Sequence, residues 1–139
     1  MHITRSVDLE KGIVYATVTG TITVAEVRAD MARMTAESGY PPDMPGIVDM
    51  RNAQAGLTSD ELRQIAETVK NSPKVVNHTR RALLVSSSLM YGLYRMFATF
   101  ISDGTTEYRV FYDEQLARAW IEEIAEERRL VLKLRSNTA

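Results

Sequence analysis

A chain of 139 residues, 45% hydrophobic and 25% charged, has the size and composition of one globular domain that can fold around its own core. Its net charge of −1 gives no electrostatic reason to expect nucleic acid or an anionic membrane as partner. The absence of cysteine excludes disulfides, thiolate metal sites and cysteine nucleophiles, and fits a reducing, cytoplasmic setting.

The first residues, Met1 to Asp8, lack a basic segment followed by an apolar one, so no signal peptide is expected. They read instead as a strand around Ile3–Val7. A turn at Glu10-Lys11-Gly12 leads to a second strand, Ile13–Thr19, with Val14, Ala16 and Val18 on one face and Ile13, Tyr15 and Thr17 on the other. Gly20 is expected to end that strand. Thr23 and Glu26 have capping-box spacing and open a helix with Val24, Val27, Met31 and Met34 on its apolar face, stopped by Gly39 and Pro41-Pro42. Gly46 to Met50 suits a short strand buried on both faces. A second capping box, Thr58 and Glu61, opens a helix with Leu62, Ile65 and Val69 inside, closed by Ser72-Pro73.

Ala82 to Val85 is the next doubly buried strand, and Ser86-Ser87-Ser88 leads into a third helix ending near Ser102-Asp103-Gly104. Tyr108–Tyr112 reads as a further strand of the same kind. Asp113 caps a last helix with Leu116, Ala117, Trp120, Ile121 and Ile124 inside. The tail 127–139 stays open: Leu130, Leu132 and Leu134 alternate like a strand, but a helix extension fits equally. The most apolar stretch, Leu89 to Ile101, is interrupted by Gly92, Arg95 and Thr99 and is far short of the ~20 residues that span a bilayer, so no membrane insertion is expected. The expected fold is a single α/β domain over 1–139 in the order ββαβαβαβα, a mixed sheet with an N-terminal hairpin and helices packed on it.

This order, with particular residues, resembles the SpoIIAA-like superfold, which holds the STAS domains and the STAS-like relatives of CRAL-TRIO lipid-transfer domains. Gly20-Thr21-Ile22-Thr23 is similar to the family's entry into its first helix, and Ile47 to Arg51 to its central strand. Arg81 to Val85 with Tyr91 to Phe97, and Tyr108 to Phe111 with Ala119-Trp120-Ile121, complete a match over residues 12–124. The resemblance implies a protein-interaction or regulatory module; the alternative is a small-ligand or lipid carrier using an apolar groove beside the third helix. One departure matters: anti-sigma antagonists carry a phosphorylatable serine after the central strand, whereas residues 49–56 here contain none. A kinase-operated switch at that position is not expected.

No nucleotide loop, serine-hydrolase elbow or metal-ligand spacing is present, and the two histidines, His2 and His78, stand apart, so no enzyme, metal or cofactor is expected. Two places could bind something. The first is the sheet edge formed by Asp49, Arg51, Ser86, Ser87 and Ser88, where free helix amides favour a small anion or polar ligand; simple helix capping is the plainer alternative. The second is the third helix. Met90, Tyr94, Phe97 and Ile101 form one apolar stripe beside another made of Leu89, Leu93, Met96 and Phe100, and Tyr91 widens the arc. A neighbouring helix of the same chain, a homodimer or other protein partner, or a small apolar ligand in a groove would each cover it. The basic clusters Arg80-Arg81 and Arg128, Arg129, Lys133 and Arg135 lack interleaved aromatics, which argues against nucleic acid.

Overall fold

The computed structural model describes residues 1–37, 43–71, 79–101 and 106–137. Five strands, β1 (His2–Asp8), β2 (Ile13–Ile22), β3 (Gly46–Ala55), β4 (Arg80–Leu84) and β5 (Glu107–Phe111), form one sheet in the spatial order β1-β2-β3-β4-β5. The β1–β2 pair is antiparallel and the other three pairs are parallel. Four helices, α1 (Val24–Glu37), α2 (Ser59–Lys70), α3 (Ser88–Ile101) and α4 (Glu114–Asn137), complete the expected ββαβαβαβα order.

Each crossover moves one strand in the same direction across the sheet, so crossovers of one hand gather α1, α2 and α3 on a single face. Their core joins Val18, Met50, Leu62, Ile65, Leu83, Val85, Tyr94, Phe97 and Val110. α4 covers the opposite face, where Ala117, Trp120, Ile121 and Ala125 meet Ile13, Ile47 and Ala82. β3 and β4 are therefore covered on both sides, which explains their continuous apolar runs. The strand order never reverses, so the sheet has no switch-point crevice of the kind that holds ligands in doubly wound folds.

The hairpin is closed by Asp8, whose carbonyl accepts from the Gly12 amide at 2.8 Å and whose carboxylate accepts from the Lys11 amide at 2.9 Å. Gly12 sits at φ 71°, where a side chain is disfavoured. The expected two-faced split of β2 is present: Ile13 and Tyr15 face α4, while Val14, Ala16 and Val18 face the three-helix side.

Several expectations need correction. Gly20 does not end β2; at φ 81° it bends the strand beyond a register shift between Thr17 and Thr19, and pairing continues to Ile22. β3 likewise runs on to Ala55 because β2 keeps offering it partners. Among the described residues β5 has only β4 as neighbour and buries Val110 alone, so it is an edge strand and not a doubly buried one. Leu116 is 62% exposed, because it lies about 100° round α4 from the buried Ala117. The Thr58–Glu61 capping box is complete, whereas at α1 the Glu26 carboxylate turns to the Thr23 hydroxyl and the Met1 ammonium, 2.7 Å away. Residues 127–137 continue α4 as a helix, settling the open strand-or-helix reading there. The stops assigned to Gly39, Pro41-Pro42, Ser72-Pro73 and Ser102-Asp103-Gly104, and His78, lie outside the described residues.

Candidate functional site

The serine edge forms as a cluster but is locally committed. Asp49 lies within β3 two residues before Arg51, which grips its carboxylate through Nε at 3.0 Å and Nη2 at 2.8 Å. The same guanidinium reaches Glu114 at the start of α4, at 3.1 Å. Hydrogen bonding from Arg51 holds the Asp49 carboxyl below its ordinary range, against a smaller opposing effect of burial. Ser86 donates to the Arg51 carbonyl at 2.9 Å, and the Ser87 hydroxyl accepts the Met90 amide at 3.2 Å as the N-cap of α3. Ser88 is exposed in the first helical turn. The structure thus brings all five residues to one edge. Arg51 is balanced there by two carboxylates and Ser87 is occupied in capping, an arrangement that offers little to an anion.

The wide apolar arc of α3 is covered from within the chain. Met90, Tyr94, Phe97 and Ile101 are 3–6% exposed, enclosed by α2 on one side and β5 on the other. These four are interior side chains, so they present no surface to a protein partner. Tyr91 is half-buried and stacks on Tyr112 with ring centres 4.6 Å apart. Leu89 and Met96, from the other stripe, are the exposed apolar residues of this helix, while Phe100 lies under the Arg63 guanidinium.

Beneath that covered face lies an apolar cavity of about 200 Å³, which no single segment of sequence signals. Its floor is Ile3 of β1, Ala16 of β2, Val48 and Met50 of β3 and Leu83 of β4; its roof includes Val27 and Met31 of α1, Leu62 and Ile65 of α2, and Tyr94 and Phe97 of α3. Tertiary spacing explains the space. α3 lies close on β5 and α4 close on β4, whereas α1 and α2 make their close backbone contacts with neighbouring helices. The space is a half-open pocket and not a sealed void.

Three charged residues line the cavity. Arg5 holds Asp30 of α1 through two hydrogen bonds of 2.9 and 2.5 Å, and Arg33 adds a third at 2.9 Å. Burial raises the Asp30 carboxyl, but the two guanidinium groups outweigh it and hold the group below its ordinary value. Arg81, 8% exposed, donates to the carbonyls of Met44 at 2.5 Å and Arg80 at 3.2 Å. A second depression, about 450 Å³, runs between α3 and the β5 edge. It is a surface groove, and its two arginines, Arg95 and Arg109, lie over the rings of Tyr91 and Trp120. Among the described residues no group of histidines and carboxylates could hold a metal, and no helix is long and apolar enough to cross a membrane.

The element order and the five-stranded mixed sheet match a SpoIIAA-like α/β fold. Among solved structures, the chain is similar to an uncharacterized protein of the DUF3478 family with a SpoIIAA-like fold from Shewanella loihica PV-4. The two share 18% sequence identity at a TM-score of 0.57, over 86% of this chain and 92% of that one. At this identity the likeness is one of fold. No family model matches the chain, and no curated protein matches it.

Proposed function

We propose that this chain is a non-enzymatic binding module whose ligand is a small apolar molecule held between the sheet and α1–α3. The supporting observation is the cavity, about 200 Å³ and lined mainly by aliphatic and aromatic side chains. An engineered apolar cavity of ~150 Å³ stays dry and binds benzene. Dedicated ligand pockets commonly reach ~300 Å³ or more. The volume therefore favours a molecule somewhat larger than benzene, such as a substituted single ring or a short branched chain, over a long acyl chain. The protein-interaction reading loses its main support, because Tyr94 and Phe97 are already covered by their own chain.

The test is a denaturation series with small apolar probes. Toluene and isopropylbenzene are expected to raise the melting temperature in a concentration-dependent way, and palmitate is not. Failure of every single-ring probe to bind would overturn the proposal. Stabilisation by palmitate alone would overturn the size argument.

A further inference from the structure

We propose that Tyr94 is the polar recognition element of this cavity, donating a hydrogen bond to an oxygen of the bound molecule, so that the ligand is a small apolar compound with one hydrogen-bond-accepting oxygen and not a hydrocarbon. The inference rests on the small-molecule reading above and names the chemistry of its ligand.

Tyr94 occupies the middle of α3, is 6% exposed and lines the cavity. Its ring meets Phe97 edge-on with centres 5.9 Å apart, and Phe97 meets Tyr108 in the same way at 5.7 Å. This interlocked aromatic wall packs the Tyr94 ring in place. No hydrogen bond reaches that hydroxyl from any described residue. A buried phenol ordinarily finds a partner, because leaving it unmatched loses its hydration without return. Tyr15 illustrates the normal case: Arg118 donates to its hydroxyl at 3.2 Å. A phenylalanine at position 94 would supply the same ring to the core, so among the described residues the oxygen makes no hydrogen bond.

The charged groups of the lining have work of their own. Arg5 is bound to Asp30, and Arg81 is bound to backbone carbonyls. The Tyr94 side chain belongs to the lining of a space walled mainly by hydrocarbon. Burial pushes its pKa up to about 12, so it stays protonated at physiological pH and acts as a donor. A ketone, ester, alcohol or carboxylate oxygen could accept from it, and a set of similarly shaped probes separates these sources.

The experiment measures binding of isopropylbenzene, acetophenone and benzoate to the full chain, to Tyr94→Phe and to the control Tyr91→Phe, whose ring stacks on Tyr112 outside the cavity lining. The expected result is that the affinity ratio of acetophenone to isopropylbenzene falls about fivefold to tenfold in Tyr94→Phe and is unchanged in Tyr91→Phe. Ligand-free Tyr94→Phe is expected to melt no lower than the parent, because the substitution removes an unmatched polar atom. A parallel loss for benzoate would support a carboxylate as the natural oxygen; a loss for acetophenone alone would support a neutral one. An unchanged ratio in Tyr94→Phe, with both neutral probes still binding, would overturn the role of Tyr94 while leaving the cavity reading intact. Absence of binding to the parent chain would overturn both.

Discussion

The space beneath α1 and α2 can be tested by the sign of one substitution. Ala16 lines the cavity from the middle of β2, between Arg5 of β1 and Val48 of β3. Ala16→Val adds two methyl groups on the three-helix face without changing the strand's pairing. In open apolar space each buried methyl is worth ~0.8 kcal/mol, so the ceiling is ~1.6 kcal/mol. Allowing for imperfect contacts, the expected gain is about 1 kcal/mol, and valine also suits a strand better than alanine. In a closed core the same change would overpack and cost ~1–3 kcal/mol. The two cases therefore differ in sign. Urea unfolding is the assay, and the midpoint should rise with unchanged slope. For a chain of this size the melting temperature should rise by about 3–5 °C. Affinity for toluene-sized probes should fall at the same time, since the methyl groups occupy the ligand's volume. A loss of 1 kcal/mol or more would refute the reasoning, because it would mean that Ala16 already touches its neighbours.

Asp30→Asn should destabilise the fold by about 2–3 kcal/mol in urea, below the ~3–5 kcal/mol of a fully buried pair because Arg5 is partly exposed. The folded-state pKa of Asp30 is depressed, so its contribution is present above the unfolded value near ~4 and is lost as pH falls through the folded value. Asp30→Asn should accordingly show a shallower loss of stability below about pH 4, read from urea midpoints at a series of pH values. Ser87→Ala should cost ~1 kcal/mol through loss of the α3 cap and leave probe affinity unchanged by calorimetry. Leu130→Lys with Leu134→Lys should change stability by less than ~0.5 kcal/mol each, since both side chains are more than half exposed on the last turns of α4.

The fold was legible because its signals are local. Thr58 and Glu61, three residues apart, mark a helix start that forms as written, and the alternation of β2 assigns Val14, Ala16 and Val18 to one face before any partner is known. What failed depended on neighbours. Whether β5 lies inside the sheet or at its edge is decided by the absence of a sixth strand among the described residues, which Tyr108–Tyr112 cannot announce. Leu116 was misplaced by a single residue of helical phase. The apolar arc that holds Tyr94 and Phe97 is visible in the sequence, but such an arc has the same pattern whether α2, a partner or a ligand covers it. The Arg5–Asp30 pair joins residues 25 apart and requires both the β1 register and the position of α1. No local pattern encodes that.

The location of the cavity follows from the connectivity. α1, α2 and α3 each bridge adjacent parallel strands, so the three helices serve the sheet from β2 to β5. β1 is added antiparallel through a short turn and brings no helix with it. Its inward residues Ile3 and Arg5 must be covered by α1, which also serves the β2–β3 crossover. One helix covering both regions cannot lie close on either, and its near backbone contact is with α2 instead of a strand. The Arg5–Asp30 bridge spans the remaining distance: it ties α1 to β1 at the reach of an arginine side chain and not at the reach of a leucine. The charged pair and the apolar pocket are two consequences of the same spacing. Replacing the pair by aliphatic residues would therefore be expected to draw α1 inward and close the cavity, so the Arg5–Asp30 bridge gains its meaning from the space it maintains beneath it.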